Sequence, residues 1–216
     1  MRYEYIFFDL DGTIIDSSEG VTSSVAYALE KYNIKVSDKK ELYKFIGPPI
    51  IESFQNFYGF SKDKAGEALK YYREHYREKG VLQNTLYPGV EDLIKALKDD
   101  NRTLILATSK PEVYAKQILE DFGIAKFFTH IAGSTLDGTR LTKSDVMKYA
   151  VEISDIKDFS KAVMIGDREY DVLGAKEMGL SSIGVLYGFG SKEELEKAGA
   201  DFIAASAQDI GKILLG

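Results

Sequence analysis

The sequence predicts an α/β protein: a doubly wound parallel sheet with a Rossmann-type core and a small all-helical domain inserted after its first strand. Three observations carry the prediction. Short, wholly apolar runs recur along the chain, amphipathic helical patterns alternate with them, and one long interval contains helical periods alone.

The first run, YIFF at residues 5–8, is bounded by Asp9 and reads as a strand buried on both faces. Runs at 103–107, 128–132, 162–165 and 182–185 share that character, with helical patterns at 90–98, 112–122, 144–153 and 170–178 between them. Apolar strands alternating with helices imply βαβ units, hence a parallel sheet covered on both faces. From about residue 17 to residue 85 the pattern changes: helical periods at 20–32, 38–45, 49–58 and 62–78 follow one another without a strand. The interval ends at Tyr87-Pro88-Gly89, a turn signal where the alternation resumes. The predicted division is a core of residues 1–16 and 87–216 and a helical domain of residues 17–86, within the usual size range for a small domain. The alternative, in which these helices merely extend the core, does not account for the Pro-Gly turn at the junction.

At 216 residues, 44% hydrophobic and 29% charged, the chain can bury one sizeable core and a smaller inserted unit. A net charge of −6 with no basic stripe argues against a nucleic acid polymer as partner. It also means that a phosphorylated ligand needs a local cation to approach. The absence of cysteine rules out a disulfide framework and a thiolate site. The opening Met1-Arg2-Tyr3-Glu4 runs straight into the short apolar stretch before Asp9, too short for a signal-peptide core or a membrane span. The expectation is a cytoplasmic protein, not membrane-bound, acting as a monomer or homodimer.

Chemistry-bearing residues stand at the ends of the predicted strands, where open α/β sheets bind ligands. Asp9-Leu10-Asp11-Gly12-Thr13 follows the first strand directly. If the extended geometry persists through Asp11, both carboxylates point to one side. Two like charges so close either keep a proton or require a cation. Gly12 permits a sharp turn with unusual φ, and Thr13 offers a hydroxyl and a backbone N–H to a phosphate. Taken alone, the segment also fits a solvated Asp-Gly turn.

Taken whole, Phe7-Phe8-Asp9-Leu10-Asp11-Gly12-Thr13-Ile14 resembles the first motif of the haloacid dehalogenase-like superfamily of phosphohydrolases. Three further segments match that family's motifs in order. Thr108-Ser109-Lys110 follows the run at 103–107; the resemblance gives Thr108 the hydroxyl that binds a phosphate oxygen, with Ser109 as the adjacent alternative. A Thr-Ser pair before Pro111 is by itself also a helix-capping signal. In Gly138-Thr139-Arg140-Leu141-Thr142-Lys143-Ser144 the resemblance selects Lys143, whose ammonium contacts both nucleophile and phosphate, over Arg140 and the later Lys148. In Gly166-Asp167-Arg168-Glu169-Tyr170-Asp171 the two aspartates are four apart at a helix start and can share a face. Hard oxygen donors there suit Mg²⁺, although aspartates at a helix N-terminus are also ordinary dipole partners. The resemblance makes Asp167 a metal ligand and Asp171 a ligand or the partner of one, with Glu169 as the alternative.

The resemblance implies a mechanism. Asp9 attacks phosphorus and forms an aspartyl-phosphate. Mg²⁺ sits between Asp9, Asp167 and the Asp11 backbone carbonyl, and Thr108 and Lys143 hold the phosphate oxygens. Asp11 protonates the leaving alcohol and later takes a proton from the attacking water. Because dehalogenase members lack an acid two residues after the nucleophile, Asp11 favours phosphoryl transfer. The helical domain is expected to close over the site as a cap, with Gly47 in Phe45-Ile46-Gly47-Pro48-Pro49 forming a substrate-binding turn; the same segment also reads as a plain helix–helix connector. Residues 184–195 are similar to phosphoglycolate phosphatases and to bacterial 5′-nucleotidase-like proteins. The expected substrate is a small phosphorylated metabolite, a nucleoside monophosphate or phosphoglycolate. Aromatic residues Phe45, Phe54, Phe57 and Tyr58 could stack a base or form core. A phosphosugar mutase is the alternative within the family. A phospho-receiver module is the alternative from another class, disfavoured because the run at 128–132 has no Asp at its immediate end.

Overall fold

The computed structural model describes residues 3–216; Met1 and Arg2, the head of the N-terminal segment read above, lie outside the described residues. In chain order, β1 (Tyr5–Phe8) is followed by β2 (Ile15–Asp16), α1 (Ser18–Glu30), a 3₁₀ segment (Lys39–Phe45), α2 (Ile50–Tyr58), α3 (Lys62–Glu78) and β3 (Thr85–Leu86). There follow α4 (Val90–Asp99), β4 (Thr103–Pro111), α5 (Glu112–Asp121), β5 (Phe128–Ser134), α6 (Lys143–Ile153), β6 (Ala162–Gly166) and α7 (Glu169–Glu177). The chain finishes with β7 (Ser181–Val185), α8 (Lys192–Ala198), β8 (Phe202–Ala204) and α9 (Ala207–Leu215). It divides into two compact units: an α/β unit, made of the chain up to Ile15 with Leu86–Gly216, and a helical unit, Asp16–Thr85.

In the α/β unit six strands form one sheet in the order β5-β4-β1-β6-β7-β8, and every neighbouring pair is parallel. Phe7 lies opposite Ile105 and Met164. All three share one face with Ala107 and Ala132, packed against Val146, Met147 and Ala150 of α6 and Ala175 of α7. The alternate residues Ile6 and Phe8 are just as buried on the opposite face. That is why β1 shows no polar alternation in sequence: both of its faces are core. The chain runs from β1 to β4 and β5 on one side, then returns to lay β6, β7 and β8 on the other. The reversal opens a crevice beyond the carboxyl ends of β1, β4 and β6.

Three features differ from the expected elements. β4 does not end at Ala107 but continues to Pro111, with a register shift between Thr108 and Pro111. The edge strand β8 and its flanking helices α8 and α9 were not expected; three residues beginning with a half-exposed Phe202 give too weak a pattern to read. The segment at 38–45 is 3₁₀ rather than α.

Within the helical unit α1 and α2 both pack on α3. Its core is aromatic. The Phe45 ring centroid lies 5.2 Å from Phe54, 5.4 Å from Phe57 and 5.9 Å from Tyr58, and Phe45 and Phe54 are buried. Of the aromatic residues seen in the sequence, Phe45 and Phe54 are thus core packing, while Phe57 is exposed; Phe45 meets both phenylalanines edge to face. Among the described residues no helix is long and apolar enough to cross a membrane.

Candidate active site

Four chain segments converge at the carboxyl edge of the sheet. β1 delivers Asp9, whose N–H donates to the Ile165 carbonyl at 2.9 Å, so the backbone stays tied to β6 at this position. The chain then folds back: the N–H groups of Thr13, Ile14 and Ile15 all donate to the Leu10 carbonyl. Gly12 makes this turn with φ +82°, and a Cβ there would collide with the Asp167 carboxylate. Both facts demand glycine. Thr13 gives its N–H to the turn at 3.3 Å, and its buried Oγ1 has no hydrogen-bond partner among the described residues.

Lys143 is the first residue of α6. Thr142 accepts the Asp145 N–H, and Asp145 accepts the Thr142 N–H, a reciprocal cap that fixes the helix start. From there the buried Lys143 ammonium reaches Asp9 Oδ1 at 2.9 Å and Asp171 Oδ1 at 2.6 Å, and donates to the Ala107 carbonyl at 2.6 Å. Burial alone would lower its pKa, but the Asp171 and Asp9 carboxylates outweigh that and hold it above the ordinary value.

Asp167 and Asp171 are both buried. They do not share a helix face as the spacing suggested: Asp167 belongs to the exit of β6, before α7 begins, and Asp171 lies in the first turn of α7. Asp171 uses one oxygen on the Arg168 N–H at 3.0 Å and the other on Lys143. Burial pushes its pKa up to about 6, against the pull of Lys143 and with a further push from Asp9. Asp167 accepts the Phe189 N–H on Oδ2 at 2.7 Å, while its buried Oδ1 has no hydrogen-bond partner among the described residues. Burial first, then the Asp171 and Asp9 charges, raise the Asp167 carboxyl well above the usual range.

The carboxylates of Asp9, Asp167 and Asp171 lie within 4.8 Å of one another. Fully ionised, they leave two negative charges unbalanced after Lys143. A buried carboxylate oxygen without a donor, amid like charges, is costly unless a cation meets it. The group therefore suits a hard divalent metal ion bound through oxygen. The Asp11 carboxylate is not part of it; its Oδ1 pairs instead with the Lys110 ammonium at 3.0 Å.

The other expected residues fall as follows. Thr108 is buried, and its Oγ1 accepts the Lys110 N–H at 3.2 Å, while Ser109 is only half-buried. Arg140 holds Glu112 and the Gly133 carbonyl, each at 2.6 Å, and lies over the Tyr149 ring, apart from the carboxylates. Lys148 pairs with Glu177 on the surface. The Glu169 N–H, with Arg168, is held by Glu194. Gly47 lies in the helical unit with φ 105°. Sequence reasoning assigned no part to Lys110 or to the loop after β7. That loop supplies the Phe189 N–H to Asp167, and the Tyr187 hydroxyl donates to the Thr13 carbonyl at 3.0 Å. A Cβ at Gly188 would strike both Asp167 and the Gly12 carbonyl, so only glycine lets the loop lie so close. The Gly-Phe-Gly run was visible; its backbone donor was not.

A family model for haloacid dehalogenase-like hydrolases matches residues 6–185. The chain belongs to that family. Its enzyme class is that of the HAD-type phosphatases and hydrolases. Two relatives and one crystal structure bear on it further. A 5′-nucleotidase of Pseudomonas aeruginosa is 43% identical over 90% of this chain and 88% of its own length. The tyrosine-protein kinase PtkA of Mycobacterium tuberculosis is 34% identical over 94% of this chain and 69% of its own length. A predicted phosphatase from Clostridium acetobutylicum, 50% identical, superposes with a TM-score of 0.96, covering 100% of this chain and 99% of that one.

Proposed function

We propose that this HAD-type enzyme is a Mg²⁺-dependent phosphatase that cleaves a small phosphomonoester through an aspartyl-phosphate on Asp9. The observation that carries the reading is the trio Asp9, Asp167 and Asp171 with its unmet Asp167 oxygen, set beside a separate Asp11. Asp9, Asp167 and the Asp11 backbone would hold the metal, which when bound offsets charge between nucleophile and phosphate. Asp171 supports it by steering Lys143. Asp9 Oδ displaces the alcohol at phosphorus, and Asp11 supplies the alcohol's proton. Thr108, Ser109, Thr13 and Lys143, with the Gly12 turn, bind and orient the phosphate oxygens. A water activated by Asp11 then frees inorganic phosphate and restores Asp9.

A nucleoside monophosphate is the leading substrate class, on the strength of the 43% identical 5′-nucleotidase; phosphoglycolate is the alternative. The core of residues 1–16 and 87–216 is assigned the chemistry, and the helical domain of residues 17–86, with Gly47 in its turn, the choice of substrate. The test is inorganic phosphate release from a panel of nucleoside monophosphates, phosphoglycolate and an aryl phosphate, with and without EDTA. Chelator-sensitive release supports the reading. Turnover that isomerises a sugar phosphate without releasing phosphate would replace it with the mutase, and release indifferent to EDTA would remove the metal from it.

A further inference from the structure

The apolar run of β4 ends at Ala107, but the strand does not. Extended backbone through Thr108, Ser109 and Lys110 puts the first and third side chains on one side and the second on the other. The burial follows that period: Thr108 and Lys110 are buried and Ser109 is half-exposed. Lys110 is thereby carried inward, where its N–H donates to Thr108 Oγ1 and its ammonium stands 3.0 Å from Asp11 Oδ1. Only 4% of the Lys110 side chain and 12% of the Asp11 side chain is exposed. A lysine is seldom buried this far without a charge to meet. The site thus holds two ammonium groups with different partners: Lys143 on Asp9 and Asp171, Lys110 on Asp11.

We propose that Lys110 is a positioning residue for proton transfer, holding Asp11 by one carboxyl oxygen so that the other faces the leaving group. The proposal rests on the reading of Asp11 as the general acid. In the first step the bond from phosphorus to the ester oxygen breaks as Asp9 bonds to phosphorus. The departing oxygen takes the proton from the free oxygen of Asp11, giving a neutral alcohol and the Asp11 carboxylate. In the second, water bonds to phosphorus and returns a proton to that same oxygen as the Asp9–phosphorus link breaks, releasing inorganic phosphate. Without Lys110 the Asp11 carboxyl turns about its last torsion, and the proton is misdirected in part of the population. The loss should grow with the leaving group's need for a proton.

The experiment compares kcat/KM, which reports through alcohol departure, for the wild type, Lys110→Met, Lys110→Arg and Asp11→Asn. Two substrates are used: p-nitrophenyl phosphate, whose phenolate leaves readily, and the best alkyl phosphomonoester of the panel. Lys110→Met is expected to lose about 10–100-fold on the alkyl ester and less than about threefold on the aryl ester, with the loss in kcat rather than KM. Lys110→Arg recovers part of it. Asp11→Asn shows the same slant, larger. A level loss on both esters in Lys110→Met, with the Asp11→Asn slant intact, overturns the role of Lys110 and leaves that of Asp11 standing. A level loss in Asp11→Asn overturns the general acid itself. Should Lys110→Met fail to melt cooperatively, Lys110→Arg decides: a slanted loss supports the proposal and a level one overturns it.

Discussion

β4 and β6 flank β1 and leave the sheet at the same edge, yet their exits carry opposite charge. The β6 exit supplies two buried acids, Asp167 and Asp171, whose pKa values are raised and one of whose oxygens lacks a donor. The β4 exit supplies a hydroxyl, Thr108, which accepts the Lys110 N–H, and a buried ammonium, Lys110, which stands 3.0 Å from Asp11 Oδ1. Asp9 stands between them, with Lys143 reaching across from α6. The β6 flank is short of a cation; the β4 flank is not. Our reading divides the labour accordingly, with metal on one side of the nucleophile and proton transfer on the other.

Substitutions on the two flanks should therefore fail differently. The largest effect belongs to the residue both flanks serve. Asp9→Asn should cut phosphate release on the order of 10⁴-fold or more and leave no acid-stable or trapped phosphoenzyme; measurable turnover in protein shown by mass spectrometry not to have deamidated would remove Asp9 as nucleophile. Next comes Asp11→Asn, on the β4 flank, at about 10²–10⁴-fold in turnover with substrate binding retained. A loss confined to KM would transfer Asp11 to binding.

The β6 flank makes a pH prediction with a definite sign. Asp167 and Asp171 have folded-state pKa values above their ordinary value of 3.8, Asp171 at about 6. Such groups hold protons more tightly folded than unfolded, so their contribution is fully present below about 4 and is lost as pH rises through 6 and beyond. In EDTA the thermal midpoint should fall across that window relative to a chain carrying Asp167→Asn, and excess Mg²⁺ should remove the difference. A metal-free midpoint that rose through the window relative to that variant would contradict the charge crowding. The last effect is at the turn after β1: Gly12→Ala must hold a positive φ and displace the buried Asp167 carboxylate, and should cost at least about 1–2 kcal/mol in urea unfolding. An unchanged midpoint would show that the turn relaxes freely.

Much of this was legible in the sequence because the chemistry sits where patterns change. β1 and β6 are apolar runs ended abruptly by Asp9 and by Gly166-Asp167, and the parallel sheet follows from strands with no polar face. Lys143 was found through the resemblance, which places a lysine near a helix start. Lys110 was missed for a physical reason: an apolar run marks where a strand is buried on both faces, not where extended backbone stops. β4 goes on past Ala107 as a polar strand, and only its continued period of two reveals which side chains turn inward. The Phe189 N–H on Asp167 was invisible because a backbone donor has no residue type, and Arg168 with Glu194 because the two are far apart in sequence. The aromatic cluster around Phe45 was readable as composition, but only burial separated Phe45 and Phe54, which are core, from the exposed Phe57.

The division between the flanks is tested most directly by metal binding itself, followed by electron paramagnetic resonance of Mn²⁺ titrated into metal-free protein and displaced by Mg²⁺. The account predicts that Asp167→Asn weakens binding by at least about 10–100-fold while Lys110→Met stays within about threefold of wild type. Equal affinity in Asp167→Asn, or an equal loss in both variants, would contradict it.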